Sequence, residues 1–142
     1  MNEIWKDING YEGLYQISSF GNVKRLNRIT DDGRHLKEKL LKLNICGDGY
    51  IEVGLTKNHI RKFYYVHRLV AEHFIKNTDK IKTDVNHIDT IRTNNNVNNL
   101  RWVTKSENNL NVLTKKRLGH RKGTHLSNEH KRKISEAMKR KK

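Results

Sequence analysis

The chain has 142 residues, room for one domain with at most a small appendage, and it carries 30 Lys+Arg against 15 Asp+Glu, a formal charge of +15. No apolar run approaches the roughly 20 residues that span a bilayer, the opening MNEIWKDING does not read as a signal peptide, and one cysteine, Cys46, excludes an internal disulfide framework or a thiolate zinc knuckle. The expectation is a soluble, cytoplasmic protein with no membrane contact and a polyanionic partner, nucleic acid being the commonest.

In chain order, the first third reads as short strands broken by turns. Segments 15–18 and 23–26 flank Phe20-Gly21-Asn22, a hairpin signal. Another strand is expected at 40–43, before the turn cluster Cys46-Gly47-Asp48-Gly49. Residues 50–55 alternate, with Ile51, Val53 and Leu55 on one face, and after a turn at Lys57-Asn58 a further strand is expected at 61–65. The period then changes. Val66, Leu69, Val70, His73 and Phe74 fall at i, i+3, i+4, i+7 and i+8, one face of a helix expected to end near Lys76-Asn77. His67 and His73 belong to that helix, and His73 reads as a packing residue.

Val85 begins a short strand that ends at Asn86-His87. The run Asn94-Asn95-Asn96-Val97-Asn98-Asn99 is too polar for a core and reads as loop. Residues 100–104 alternate again, with Trp102 expected in the core, and 105–113 form a short helix with Glu107 in its first turn. Residues 111–142 then hold 12 Lys+Arg and two acids, a local net of +10, which leaves +5 for residues 1–110. This tail reads as a polybasic arm. Ser127 suits an N-cap and Glu129 the first turn of a helix with His130, Ile134, Ala137 and Met138 on one stripe. Alone in water that helix is marginal, and docking on DNA would order it.

One constellation carries chemistry: Asn86-His87 on a strand, Asn99 at the start of the next, and Asn108 on the helix that follows. The text VNHIDT, NNNVNNLRWVT and KSEN resembles the HNH nuclease motif in the form found in phage and intron-borne homing endonucleases. Such a site needs a base to take a proton from water and a divalent cation to offset charge at the phosphate. Imidazole titrates near neutral pH, and oxygen ligands suit a hard ion. The resemblance implies His87 as general base, Asn86 and Asn108 as ligands of one Mg²⁺ (or Mn²⁺), and Asn99 as the residue that pins the loop and helps orient the histidine. It also implies hydrolysis that leaves a 3′-hydroxyl and a 5′-phosphate. Many relatives have Asp at the position of Asn86, and many have Gly-Asn where Thr90-Ile91 follows Asp89 here.

Two flanking resemblances extend the first. Trp5-Lys6-Asp7-Ile8, Gly10-Tyr11-Glu12-Gly13, Tyr15-Gln16-Ile17-Ser18 and Gly21-Asn22-Val23 look like the N-terminal modular region that precedes HNH domains. The tail from Gly119 to Lys139 looks like a nuclease-associated DNA-binding helix module. The expected fold is α+β: a small antiparallel β-rich DNA-binding region (1–57), a central ββα-metal unit (58–113), and a basic helical arm (114–142). Candidate DNA contacts are Lys24, Arg25 and Arg28 in the first, and Arg121, Lys122, Lys131, Arg132 and Lys139 in the last. The expected activity is site-specific cleavage of double-stranded DNA, one strand per binding event by a monomer. The alternative is the same fold with a site too weak to cut, acting as a DNA-binding protein; a basic structural protein of nucleoprotein particles is a third reading.

Overall fold

The computed structural model describes residues 2–110. Alternation builds its first sheet. Tyr15, Ile17 and Val23 are buried while Gln16 and Lys24 are half-buried, the pattern of strands with one face on a core. Strands β1 (Trp5–Asp7), β2 (Tyr15–Ser18) and β3 (Val23–Arg25) pair antiparallel. A two-stranded ribbon of β4 (Arg28–Ile29) and β5 (His35–Leu36) follows, and β6 (Lys39–Leu40) returns to the edge beside β3. A second sheet holds β7 (Asn44–Ile45), β8 (Ile51–Lys57) and β9 (Ile60–Tyr65) in that order.

Helix α1 (Val66–Phe74) buries Val66, Leu69, Val70 and Ala71. The last pair of strands is β10 (Asp84–His87) and β11 (Leu100–Val103), antiparallel, with Asn86 opposite Arg101 and His87 opposite Leu100. A 3₁₀ turn (Val97–Asn99) precedes β11, and α2 (Lys105–Leu110) follows it. The fold is α+β.

One core joins all of this. Ile8, Ile17 and Val23 from the first sheet meet Val53 and Leu55 of β8, the apolar face of α1, and Val85 and Leu100. The boundary expected between residues 57 and 58 falls at the turn of the β8–β9 hairpin, and the core runs across it. The chain divides into two units, Met1–Asn108 and Asn109–Lys142. The expected basic arm and its helix at Ser127 lie outside the described residues. Among the described residues, no helix is long and apolar enough to cross a membrane.

Four local expectations need correction. Of the strand expected at 40–43 only Leu40 lies in a strand, at the end of β6; 41–43 link β6 to β7, and Leu41 and Leu43 pack against the core as the chain crosses between sheets. The helix expected to reach Lys76-Asn77 ends at Phe74. Ile75 is extended (φ −114°, ψ 108°), and its carbonyl accepts the Trp102 indole N–H at 3.0 Å. Trp102, expected in the core, is therefore half-buried against its edge. The Asn-rich run is not wholly solvent-facing: Asn95 is 4% exposed.

Candidate active site

Strand alternation puts Asp84 and Asn86 on one face of β10, and α2 brings Asn108 to that face. Asn86 Nδ2 donates to Asn108 Oδ1 at 2.9 Å, and Asn108 Nδ2 donates to Asp84 Oδ2 at 3.4 Å. The Asp84 carboxylate also pairs with Arg68 at 3.8 Å. His87 is the next residue along the strand and is 5% exposed. Its Nε2 lies 3.0 Å from Asn95 Oδ1. Because that amide oxygen only accepts, Nε2 is the ring nitrogen that donates to it.

The loop between β10 and β11 is held by Asp89 and Asn99. The Asp89 N–H donates to Asn99 Oδ1 at 3.0 Å, and Asn99 Nδ2 donates to Asp89 Oδ1 at 2.9 Å and to the Asn94 carbonyl at 2.8 Å. Asn94 Nδ2 reaches Asp89 Oδ2 at 2.7 Å. Desolvation pushes the Asp89 carboxyl up. The hydrogen bonds from Asn94, the Ile91 amide and Asn99, with His87 nearby, outweigh it and hold the group below the usual carboxylate range. Asn99 thus ties the loop ends together, while the hydrogen bond to the His87 ring comes from Asn95. Thr90, where relatives often have Gly, adopts a left-handed φ of 66°.

Two residues of this cluster escape sequence reasoning. Asn95 sits in a polar run with no periodicity to mark it. His67 lies beside the apolar stripe of α1, yet it is 5% exposed with its ring centroid 5.2 Å from that of His87. Tyr50 and Tyr65 flank it at 4.8 and 5.5 Å. Its Nδ1 is buried without a hydrogen-bond partner. Burial, with lesser contributions from His87 and Arg68, pushes this imidazole down to about 4. His73, by contrast, packs structurally: its Nδ1–H donates to the Leu69 carbonyl at 2.7 Å and its Nε2 accepts the Asn9 N–H at 3.0 Å.

The HNH endonuclease family profile matches residues 64–110, and the NUMOD4 motif matches residues 3–56. Residues 64–110 thus match the HNH endonuclease family. It is 40% identical over 111 residues to the DNA endonuclease I-HmuI of Bacillus phage SP01, covering 78% of this chain and 58% of that protein. It is also 40% identical over 126 residues to an uncharacterized HNH endonuclease of Acanthamoeba polyphaga mimivirus, covering 81% of this chain and 29% of the relative. A solved structure of the HNH homing endonuclease I-HmuI, concerned with DNA binding and cleavage, superposes with a TM-score of 0.62 at 38% identity. That match covers 82% of this chain and 66% of the other. The chain thus spans less than two thirds of the length of these curated relatives.

Asn86 and Asn108 each carry an amide oxygen at this face, that of Asn108 accepting from Asn86 Nδ2, with the Asp84 carboxylate beyond Asn108. This all-oxygen set fits a hard divalent ion that keeps several waters and takes few protein ligands. The candidate DNA contacts in the N-terminal region already have partners within the protein. Lys24 Nζ lies 4.6 Å from the Trp5 ring and 3.4 Å from Glu38, Arg25 donates to the Lys37 carbonyl at 3.0 Å, and the Arg28 guanidinium lies 5.7 Å from the Tyr15 ring. Arg121, Lys122, Lys131, Arg132 and Lys139 lie outside the described residues.

Proposed function

We propose that this chain is a site-specific DNA endonuclease of the homing type, hydrolysing a phosphodiester bond with His87 as general base and one divalent ion. The observation that carries this reading is the Asn86–Asn108 pair, its amides 2.9 Å apart, on a ββα unit whose strand carries His87 as the next residue. The similarity to I-HmuI, a DNA endonuclease, supports the substrate class.

His87 is held through Nε2, so its Nδ1 takes the proton from the attacking water. Asn99, through Asp89 and Asn94, keeps the loop beside the base closed. Asn86 and Asn108 would hold Mg²⁺ or Mn²⁺ through side-chain oxygens, and such an ion neutralises charge at the scissile phosphate. Lys24, Arg25 and Arg28, with Arg121, Lys122, Lys131, Arg132 and Lys139, supply the phosphate contacts that give affinity. One HNH unit among the described residues would cut one strand per encounter, so a monomer would nick.

The test is incubation of supercoiled plasmid with the full chain in Mg²⁺, with and without EDTA. Nicked circles that vanish with EDTA are expected. His87→Ala should abolish nicking while DNA affinity is kept, since the base acts only in the chemical step. A folded His87→Ala protein that nicks at the wild-type rate would overturn the assignment.

A further inference from the structure

The turn between β2 and β3 reaches the catalytic loop. It is rigidly built: the Ser18 N–H donates to the Asn22 carbonyl at 2.8 Å, and Ser18 Oγ accepts the Phe20 and Asn22 N–H groups at 3.2 and 3.0 Å. Two of its residues touch the Asn-rich loop. The Ser19 carbonyl accepts the Val97 N–H at 2.9 Å. Gly21, at φ +87°, lies so close to Asn95 that a Cβ added to it would sit 2.7 Å from Asn95 Cβ and 3.2 Å from Asn95 O. Asn95 is the residue whose Oδ1 meets His87 Nε2 at 3.0 Å.

We propose that this turn is a positioning element for the base: Ser19 pins the loop at Val97, Gly21 seats Asn95, and Asn95 fixes the tautomer and orientation of the His87 imidazole. The proposal rests on the nuclease reading and goes beyond it. It makes the N-terminal motif part of the catalytic apparatus as well as a candidate DNA-binding region. Carbon atoms pack at about 3.5–4.0 Å, so a side chain at Gly21 must displace Asn95 by on the order of 1 Å. Neither colliding atom is the far end of a flexible side chain, so the backbone of the loop must move. A shift of that size breaks a hydrogen bond that starts at 3.0 Å.

The test compares Gly21→Ala with Gly13→Ala in the full chain. Gly13 also has a left-handed φ, +70°, but an added Cβ there meets nothing within 4 Å, so it reports backbone strain without the loop contact. Single-turnover nicking of supercoiled plasmid in Mg²⁺ and gel-shift affinity for the same DNA are measured separately. Gly21→Ala should cut about 10²-fold more slowly, the scale of a 1 Å misplacement near the chemistry. Its affinity should stay within about twofold, since a residue acting only on the chemical step leaves ground-state binding alone. Gly13→Ala should cut near the wild-type rate. Asn95→Leu should lose rate as Gly21→Ala does, and Asn95→Asp, which keeps an acceptor oxygen, should recover most of it. Nitrogen-15 NMR of the histidine rings gives a readout independent of cleavage: the wild-type His87 should show one Nε2–H tautomer, lost in Gly21→Ala and Asn95→Leu. Equal rates for Gly21→Ala and Gly13→Ala, or an unchanged His87 signature in Asn95→Leu, would overturn the proposal. A wild-type chain that does not cut overturns the nuclease reading instead, and the NMR comparison still decides the coupling. If Gly21→Ala does not fold, the two Asn95 variants decide it by the same measurements.

Discussion

Acid should destabilise this protein before its carboxylates titrate, and His67 is the reason. The imidazole is buried against Tyr50, Tyr65 and His87 with its Nδ1 unpartnered, and burial pushes it from 6.5 down to about 4. In the unfolded chain the same group has its ordinary affinity for protons. Between those two values the unfolded state binds a proton that the folded state refuses. Stability is therefore complete above pH 6.5 and falls as the pH drops toward 4. At 1.36 kcal/mol per pH unit the full loss is about 3 kcal/mol. Between about pH 7.5 and about pH 5 the linkage relation gives a loss of roughly 2 kcal/mol from this group. That is a large share of a typical stability of about 5–15 kcal/mol. Asp48, Asp89 and Glu107 are held below their usual range and act only at lower pH, so the window belongs to the histidine. Urea unfolding, followed by fluorescence of Trp5 and Trp102, measures it at each pH for the wild type and His67→Phe. The variant, which keeps a ring in the cluster and removes the titrating group, should show a flattened profile. A profile for His67→Phe that parallels the wild type would refute the reasoning.

Thr90→Gly should stabilise the chain by roughly 0.5–1 kcal/mol, because a side chain at φ 66° costs about 1 kcal/mol or more and glycine's greater unfolded-state freedom offsets only part of that. The melting temperature reads it, and a decrease would show that the Thr90 side chain contributes a contact that outweighs its strain. Asn86→Asp should raise affinity for Mn²⁺ in calorimetry, because it adds a formal charge beside Asn108, whereas Asn108→Ala should cut at least about tenfold more slowly and recover partly at high metal. An inactive Asn86→Asp beside an unaffected Asn108→Ala would dismiss this ligand pair. Truncation after residue 113 removes most of a segment of net charge +10. At a slope of about −0.9 per neutralised phosphate, the loss of roughly three to six contacts should flatten the salt dependence of DNA binding by a similar number. Equal salt slopes for the two proteins would make the arm a solvated tail.

Period and spacing carry what could be read without coordinates. Alternation over 50–55 and the i, i+3, i+4 stripe from Val66 to Phe74 are repeated local signals, and β8 and α1 lie where those signals put them. Asn86, His87 and Asn108 were legible as a group because each occupies a fixed step of a strand–loop–strand–helix pattern, and short connections leave such a pattern few ways to close. The two-residue strands β4 to β7 are too short to show a period, and only their partners across the sheet define them. Asn95 and His67 were invisible for a different reason. Neither stands on a repeating apolar stripe, and both are buried by elements distant in the chain: the Ser19–Gly21 turn closes over Asn95, and β8 with its neighbours closes over His67. Local sequence therefore determined which residue types could do chemistry and which elements carry them. Tertiary packing alone decided which amide meets the His87 ring, which imidazole is buried beside it, and that the Ser19–Gly21 turn and the Asn-rich loop share one buried seam. Those contacts arise from long-range closure, whose energy belongs to pairs of segments and is written in neither segment alone.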